Sequence, residues 1–198
     1  MARVALLAVS LALLAACAPA HGETPKSVAE LVIANENKGF GILLEAVLAA
    51  DKSILAALSD PNLKATVFAH RCAYRAAVPA AAEGPDKAFA VLLKALGVSK
   101  AELLANKELL DSVLLYHVIG KPIKSSQIPF FPGVKVQTLL AGKAGKLSVR
   151  RGKAGIVRLL TTSGSQSAVI PGLANIRAGK SAIVHGINRV LVPGDKPL

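Results

Sequence analysis

Ala182-Ile183-Val184-His185-Gly186-Ile187-Asn188-Arg189-Val190-Leu191-Val192-Pro193 decides how this chain is read. Branched apolar residues run almost through it, as suits a buried strand. One histidine, His185, interrupts the run, and Gly186 beside it allows a close backbone approach or a bulge. A second segment, Leu114-Leu115-Tyr116-His117-Val118-Ile119, has the same character and also reads as buried strand, with Glu108 to Leu115 helical ahead of it. Thr66-Val67-Phe68-Ala69 is a third, shorter β-type run.

Around these segments the apolar spacing changes half-way along the chain. Ser27 and Glu30 form a capping-box pair that starts a helix with Leu31, Val32 and Ile33 on its apolar face. Phe40, Leu43, Leu44, Val47 and Leu48 recur at helical spacing to about Ala50. Ile54 to Leu58 is a short helix closed by Asp60-Pro61. Phe89, Leu92, Leu93 and Leu96 give another helix ending at Gly97, and Ser99 with Glu102 caps the next. After Pro122 the period becomes two. Val134-Val136-Thr138-Leu140, Leu147-Val149 and Ile156-Arg158-Leu160 alternate, followed by strand-like Ser167 to Ile170, Leu173 to Ile176, Ala182 to Val184 and Ile187 to Val192. Helices first and strands later predict an α+β domain.

The three runs, in this order and spacing, resemble the signature segments of the fasciclin domain family. The resemblance covers about Ser27 to Pro193 and closes on Ile-x-His-x-Ile-x-x-Val-Leu-x-Pro. It implies a twisted β-wedge of several strands with helices packed against it, helices lying mainly in the N-terminal half. It also implies extracellular, non-catalytic adhesion or matrix organisation, with cell-surface or matrix proteins as partners. The family continues Thr-Val-Phe-Ala with Pro-Thr-Asn/Asp-x-Ala-Phe. Here His70-Arg71-Cys72-Ala73-Tyr74 follows Ala69, and Pro85-Asp86-Lys87-Ala88-Phe89 resumes the pattern. Residues 70–84 therefore read as an atypical insertion or as a gene-model artefact, and His70, Cys72 and Tyr74 are expected in an irregular segment. In the family, a Tyr-His motif among branched apolar residues has been proposed as a receptor contact, which marks Tyr116 and His117 as a candidate adhesion motif. The competing reading places both side chains in the core, satisfying buried partners.

The domain plan is a leader over 1–20, the fasciclin-like domain over 27–193 and a tail over 194–198. Arg3 precedes an apolar run from Val4 to Ala16 broken only by Ser10, and Ala18-Pro19-Ala20 offers a small-x-small cleavage site. Secretion is the expectation. Leu14-Ala15-Ala16-Cys17 also matches a bacterial lipobox, so lipid anchoring through Cys17 is the alternative. Cys72 is then left without an intrachain partner, and stability is expected from the apolar core and not from disulfides.

The 198 residues carry a net charge of +12, distributed unevenly. Glu23 to Asp111 holds eleven acids and ten bases, a net of −1. Ser112 to Leu198 holds thirteen Lys and Arg against Asp195, a net of +12; Arg3 supplies the remaining +1. Lys143, Lys146, Arg150, Arg151 and Lys153, with Arg158 close by, form a candidate polyanion-binding set. For an exported chain the polyanion would be an acidic or sulfated polysaccharide, or anionic lipid. Nucleic acid is disfavoured because no aromatics interleave with the cations. The alternative use of these charges is to solvate and protect sheet edges.

No chemistry-bearing pattern competes with this reading. The histidines, His21, His70, His117 and His185, lack metal-ligand spacing, so no metal or cofactor is expected. Thr161-Thr162-Ser163-Gly164-Ser165 lacks the first glycine of a nucleophile elbow and reads as a turn. Glu102, Glu108 and Asp111 suit solvated helix faces better than a pair of glycosidase carboxylates. A secreted or lipid-anchored enzyme is the least favoured class.

Overall fold

The structure, a computed structural model, describes residues 25–36, 39–71, 90, 92–94 and 96–194. The leader, Cys17, Cys72, Tyr74, Phe89 and the last four residues lie outside that set, as does most of the 70–84 segment.

The N-terminal half is helical for local reasons. Helix α1 (Val28–Ala34) begins where the Ser27 hydroxyl accepts the Glu30 N–H at 3.1 Å. Helix α2 (Gly41–Ala49) follows, then α3 (Lys52–Ser59), where the Asp51 carboxylate accepts the Ser53 N–H at 2.7 Å. Residues 92–94 and 96 are helical ahead of α4 (Lys100–Ala105). There Ser99 and Glu102 form the reciprocal capping box, at 3.2 and 2.7 Å. The Asn106 side chain caps α5 (Lys107–Tyr116) through the Leu109 N–H at 3.1 Å.

Two four-stranded sheets make up the rest. The strands are β1 (Thr66–His70), β2 (Val118–Ile119), β3 (Val134–Gln137), β4 (Lys146–Arg151), β5 (Val157–Thr161), β6 (Gln166–Ala168), β7 (Ile176–Ala178) and β8 (Ala182–Ile187). The first sheet has the order β2-β1-β8-β7, the second β3-β4-β5-β6. β1 and β8 pair in parallel from Thr66–Ile183 to His70–Ile187, and all other ladders are antiparallel. Every residue of β1 and β8 is buried, because the helices cover one face of the pair and the second sheet covers the other. Val67, Ala69, Ala182 and Val184 belong to the helical core. Phe68 and Ile187 belong to the core between the sheets, with Tyr116, Leu147, Val149, Leu159 and Leu191. A bridge between Val169 and Ile187 stitches the two sheets together, with Ile170 N–H donating to Gly186 O at 2.8 Å.

The fold is α+β, as expected, and several element boundaries differ from the sequence reading. The strand expected over Leu114–Ile119 is confined to Val118–Ile119. Helix α5 runs on through Tyr116 because Leu110, Val113 and Leu114 recur at helical spacing and bury one face. The closing strand ends at Ile187. Beyond it the apolar residues pack without a ladder, and the Asn188 side chain turns back to accept the Ala168 N–H at 2.9 Å. Leu173 to Asn175 form a turn, and strand begins only at Ile176. His70 is ordered strand, the last residue of β1, and is buried. In β5 the buried set is Val157, Leu159 and Thr161, which puts Arg158 and Leu160 outside. The expected apolar phase, Ile156 and Leu160, is the opposite one.

Gly186 has a steric reason. A Cβ there would lie 2.7 Å from the Leu173 Cβ, because the turn after Ile170 is strapped flat onto β8 by Gly186 N–H donating to Leu173 O at 2.8 Å. Gly186→Ala is expected to lower stability by about 1–3 kcal/mol, read as a reduced urea midpoint. An unchanged midpoint would contradict this packing.

Candidate functional site

Tyr116 and His117 sit where α5 delivers the chain to β2, and both are buried. The Tyr116 hydroxyl donates to Lys146 O at 3.0 Å and accepts the Thr162 N–H at 3.4 Å. Burial raises its pKa, opposed by the Thr162 hydrogen bond. His117 Nε2 accepts the Leu191 N–H at 2.9 Å, so the ring proton sits on Nδ1 and donates to Val113 O at 2.7 Å. The ring therefore joins the C-terminus of α5 to the segment after β8. A partner could touch either side chain only if this region opened.

His185 has a similar role on the neighbouring sheet strand. Its ring lies 5.8 Å from Phe68, its register partner on β1. Nδ1 accepts the Asn175 N–H at 3.2 Å and Nε2 donates to Ile123 O at 3.0 Å. Nearby, the Thr66 hydroxyl donates to Lys121 O and accepts the Ile123 N–H, each at 2.7 Å. Both motif histidines are thus neutral bridges between backbone segments. Burial holds the imidazoles of His117 and His70 down to about 4 and lowers that of His185 as well. Among the described residues no group of three or more His, Cys, Asp or Glu is placed to hold a metal ion.

A different arrangement occupies the outer face of the second sheet. Alternation sends Leu147, Val149, Val157 and Leu159 inward and leaves Lys146, Arg150 and Arg158 exposed. Arg150 and Arg158 are direct register partners across β4 and β5. Lys135, Ser148, Leu160 and Gln166 form the neighbouring row across all four strands. Gly133, Lys135, Ser148, Arg150, Arg158 and Gln166 line a depression of about 310 Å³. From Ser112 to Gly194 the chain has twelve Lys and Arg and no Asp or Glu. The ion pair among the described residues, Lys100 with Glu45 at 2.8 Å, lies between helices. Opposed arginines repel, so an anion placed between them relieves a cost that the fold otherwise carries.

The six cations singled out in sequence do not form one patch. Lys146, Arg150 and Arg158 share the outer face. Arg151 belongs to the other phase of β4, its guanidinium 3.9 Å above the Phe130 ring. Lys143 lies in the β3–β4 turn and Lys153 in a short 3₁₀ turn after β4, both exposed. Lys135 was missed, although the alternation of Val134 and Val136 already put it on the opposite face.

Comparison with known proteins adds the family. The model of the fasciclin domain matches residues 85–193, just over half of the chain. The chain belongs to the fasciclin domain family. The match begins at the Pro85-Asp86-Lys87-Ala88-Phe89 run, where the family pattern resumes after the atypical segment. The solved FAS1 domain pair from the insect cell adhesion molecule fasciclin I shares the fold, with a TM-score of 0.52 at 18% identity. That likeness covers 79% of this chain and 46% of the insect one, so this fasciclin domain protein spans about half the length of its structural relative. No curated protein matches the chain significantly. No helix among the described residues is long and apolar enough to cross a membrane.

The buried histidines give this fasciclin domain a pH dependence of stability. Their folded pKa values lie below the ordinary 6.5, so the unfolded chain takes up protons first as pH falls. Stability is complete above pH 6.5 and is lost progressively towards pH 4. Urea midpoints measured across that window should fall, and the fall should be shallower in His117→Gln. A flat profile in the wild type would contradict neutral, buried imidazoles.

Proposed function

We propose that residues 27–193 of this fasciclin domain protein form an extracellular adhesion or matrix-organising unit that works by surface contact and not by catalysis. Its contact surface is the outer face of the second sheet, and its ligand an acidic polysaccharide. The observation that carries this reading is the set of cations on that face, Lys135, Lys146, Arg150 and Arg158, with two arginines opposed and no acid nearby in sequence. Export through the 1–20 leader, or anchoring through a lipidated Cys17, would bring that face to such polymers. The absence of catalysis is supported by His117 and His185, whose ring nitrogens are all committed to backbone groups. Protein partners on a cell surface remain compatible with the family, and a basic face steers acidic ones in the same way.

Chromatography on an immobilised acidic polysaccharide tests the reading. Retention is expected to fall steeply with salt. The double variant Arg150→Glu, Arg158→Glu should lose at least about tenfold in affinity, or ~1.4 kcal/mol, with its circular dichroism unchanged. Retention that ignores both salt and the double variant would overturn the proposal.

A further inference from the structure

The loop leading into β3 carries a feature that charge alone does not explain. Phe131 is 83% exposed and its neighbour Phe130 56% exposed. Phe130 is already engaged, with the Arg151 guanidinium stacked 3.9 Å above its ring and the Arg151 N–H donating to Pro129 O at 2.8 Å. These contacts tie the loop to the end of β4. Two residues after Phe131 comes Gly133, where a Cβ would lie 3.3 Å from the Arg150 Cβ. The chain therefore passes directly against Arg150 as it leaves Phe131. The loop that bears this open aromatic ring thus runs into Gly133, which itself lines the depression with Lys135, Arg150 and Arg158.

The floor of that depression is not purely cationic. Ser148 and Gln166 lie in the same register row as Lys135, and they offer a hydroxyl and an amide. Arginine forks match a planar carboxylate in two parallel hydrogen bonds. Neutral hydrogen-bonding groups match hydroxyls, and an aromatic ring matches a flat apolar surface of similar size. A pyranose ring bearing a carboxylate presents all three: its C–H face is apolar, its rim is hydroxylated and its carboxyl group is ionised at neutral pH.

From this juxtaposition we infer that the depression and Phe131 together form a subsite for a uronic acid residue of a polysaccharide. Arg150 and Arg158 take the carboxylate, Ser148 and Gln166 take hydroxyls, and Phe131 stacks on the C–H face. The inference rests on the polysaccharide reading above and sharpens it, because it makes binding depend on the sugar ring as well as on its charge. An anionic membrane would also attract a basic face with an aromatic at its edge. Cations and neutral hydrogen-bonding side chains surround the exposed Leu160 on this sheet face, and that mixture favours the sugar, since insertion into a bilayer calls for a continuous apolar face.

Titration calorimetry of the full chain separates these cases, using an oligogalacturonide, a poly-glutamate of equal charge and vesicles rich in phosphatidylserine as probes. The expected result is tighter binding of the oligogalacturonide than of poly-glutamate. Phe131→Ala should weaken the oligogalacturonide about five- to tenfold without changing its salt slope and leave poly-glutamate unaffected, and Phe131→Trp should restore affinity. Equal binding of sugar and peptide polyanions, with Phe131→Ala silent, would overturn the subsite and leave the polyanion face standing. Binding of vesicles but of neither polymer would overturn both.

Discussion

β1 and β8 pair in parallel from Thr66–Ile183 to His70–Ile187, and both strands are buried along their whole length. A parallel ladder between strands so far apart in sequence is costly to close and needs cover on both faces. The helices supply one cover and the second sheet the other. The connecting segments around the pair then have to be fixed, and the two motif histidines do this. His117 holds the Leu191 N–H from the helical side, and His185 holds Asn175 and Ile123 from the strand side. Each ring bridges two backbone groups that burial would otherwise leave unsatisfied, at about 1–3 kcal/mol apiece.

That arrangement also decides where function can reside. With β1 and β8 covered on both faces, their Thr66 and His185 side chains are occupied with internal partners. The second sheet is covered on one face only, so its outward phase can carry charged side chains. Lys135, Lys146, Arg150 and Arg158 share that face across β3, β4 and β5 by the period-two geometry of the strands. Contact on this exposed face is the activity proposed for the protein. The fasciclin relationship points in the same direction.

Much of this was legible in the sequence, for identifiable reasons. The caps at Ser27 and Ser99 are local side-chain geometry: the Ser99 capping box forms as read, while at Ser27 the hydroxyl cap forms and the Glu30 carboxylate accepts the Lys26 N–H instead. The Thr66–Ala69 run and the Ala182–Ile187 run mark the two central strands because full burial demands nearly uninterrupted apolar residues. Apolar runs lose their meaning where burial occurs without a ladder. Val190 to Val192 pack and bond through single contacts, and Leu114 to Tyr116 are equally apolar as helix or strand. β5 defeats a phase reading because Leu159 and Leu160 are both apolar, and only the pairing of Arg158 with Arg150 shows which one faces out. Lys135 was visible in the alternation of β3. Arg151 looked equivalent to Arg150 because adjacent charges read alike until strand geometry sends them to opposite faces.

The central claim is that the outer face of the second sheet is the working surface while the β1–β8 core is scaffold. A two-dimensional NMR titration of the isotope-labelled protein with an acidic oligosaccharide tests it most directly. The account predicts saturable shift changes at Lys135, Ser148, Arg150, Arg158 and Gln166, with the amides of Val67 to Ala69 and Ile183 to Gly186 unmoved. Changes centred on Tyr116, His117 and the helices, with the outer sheet silent, would contradict it.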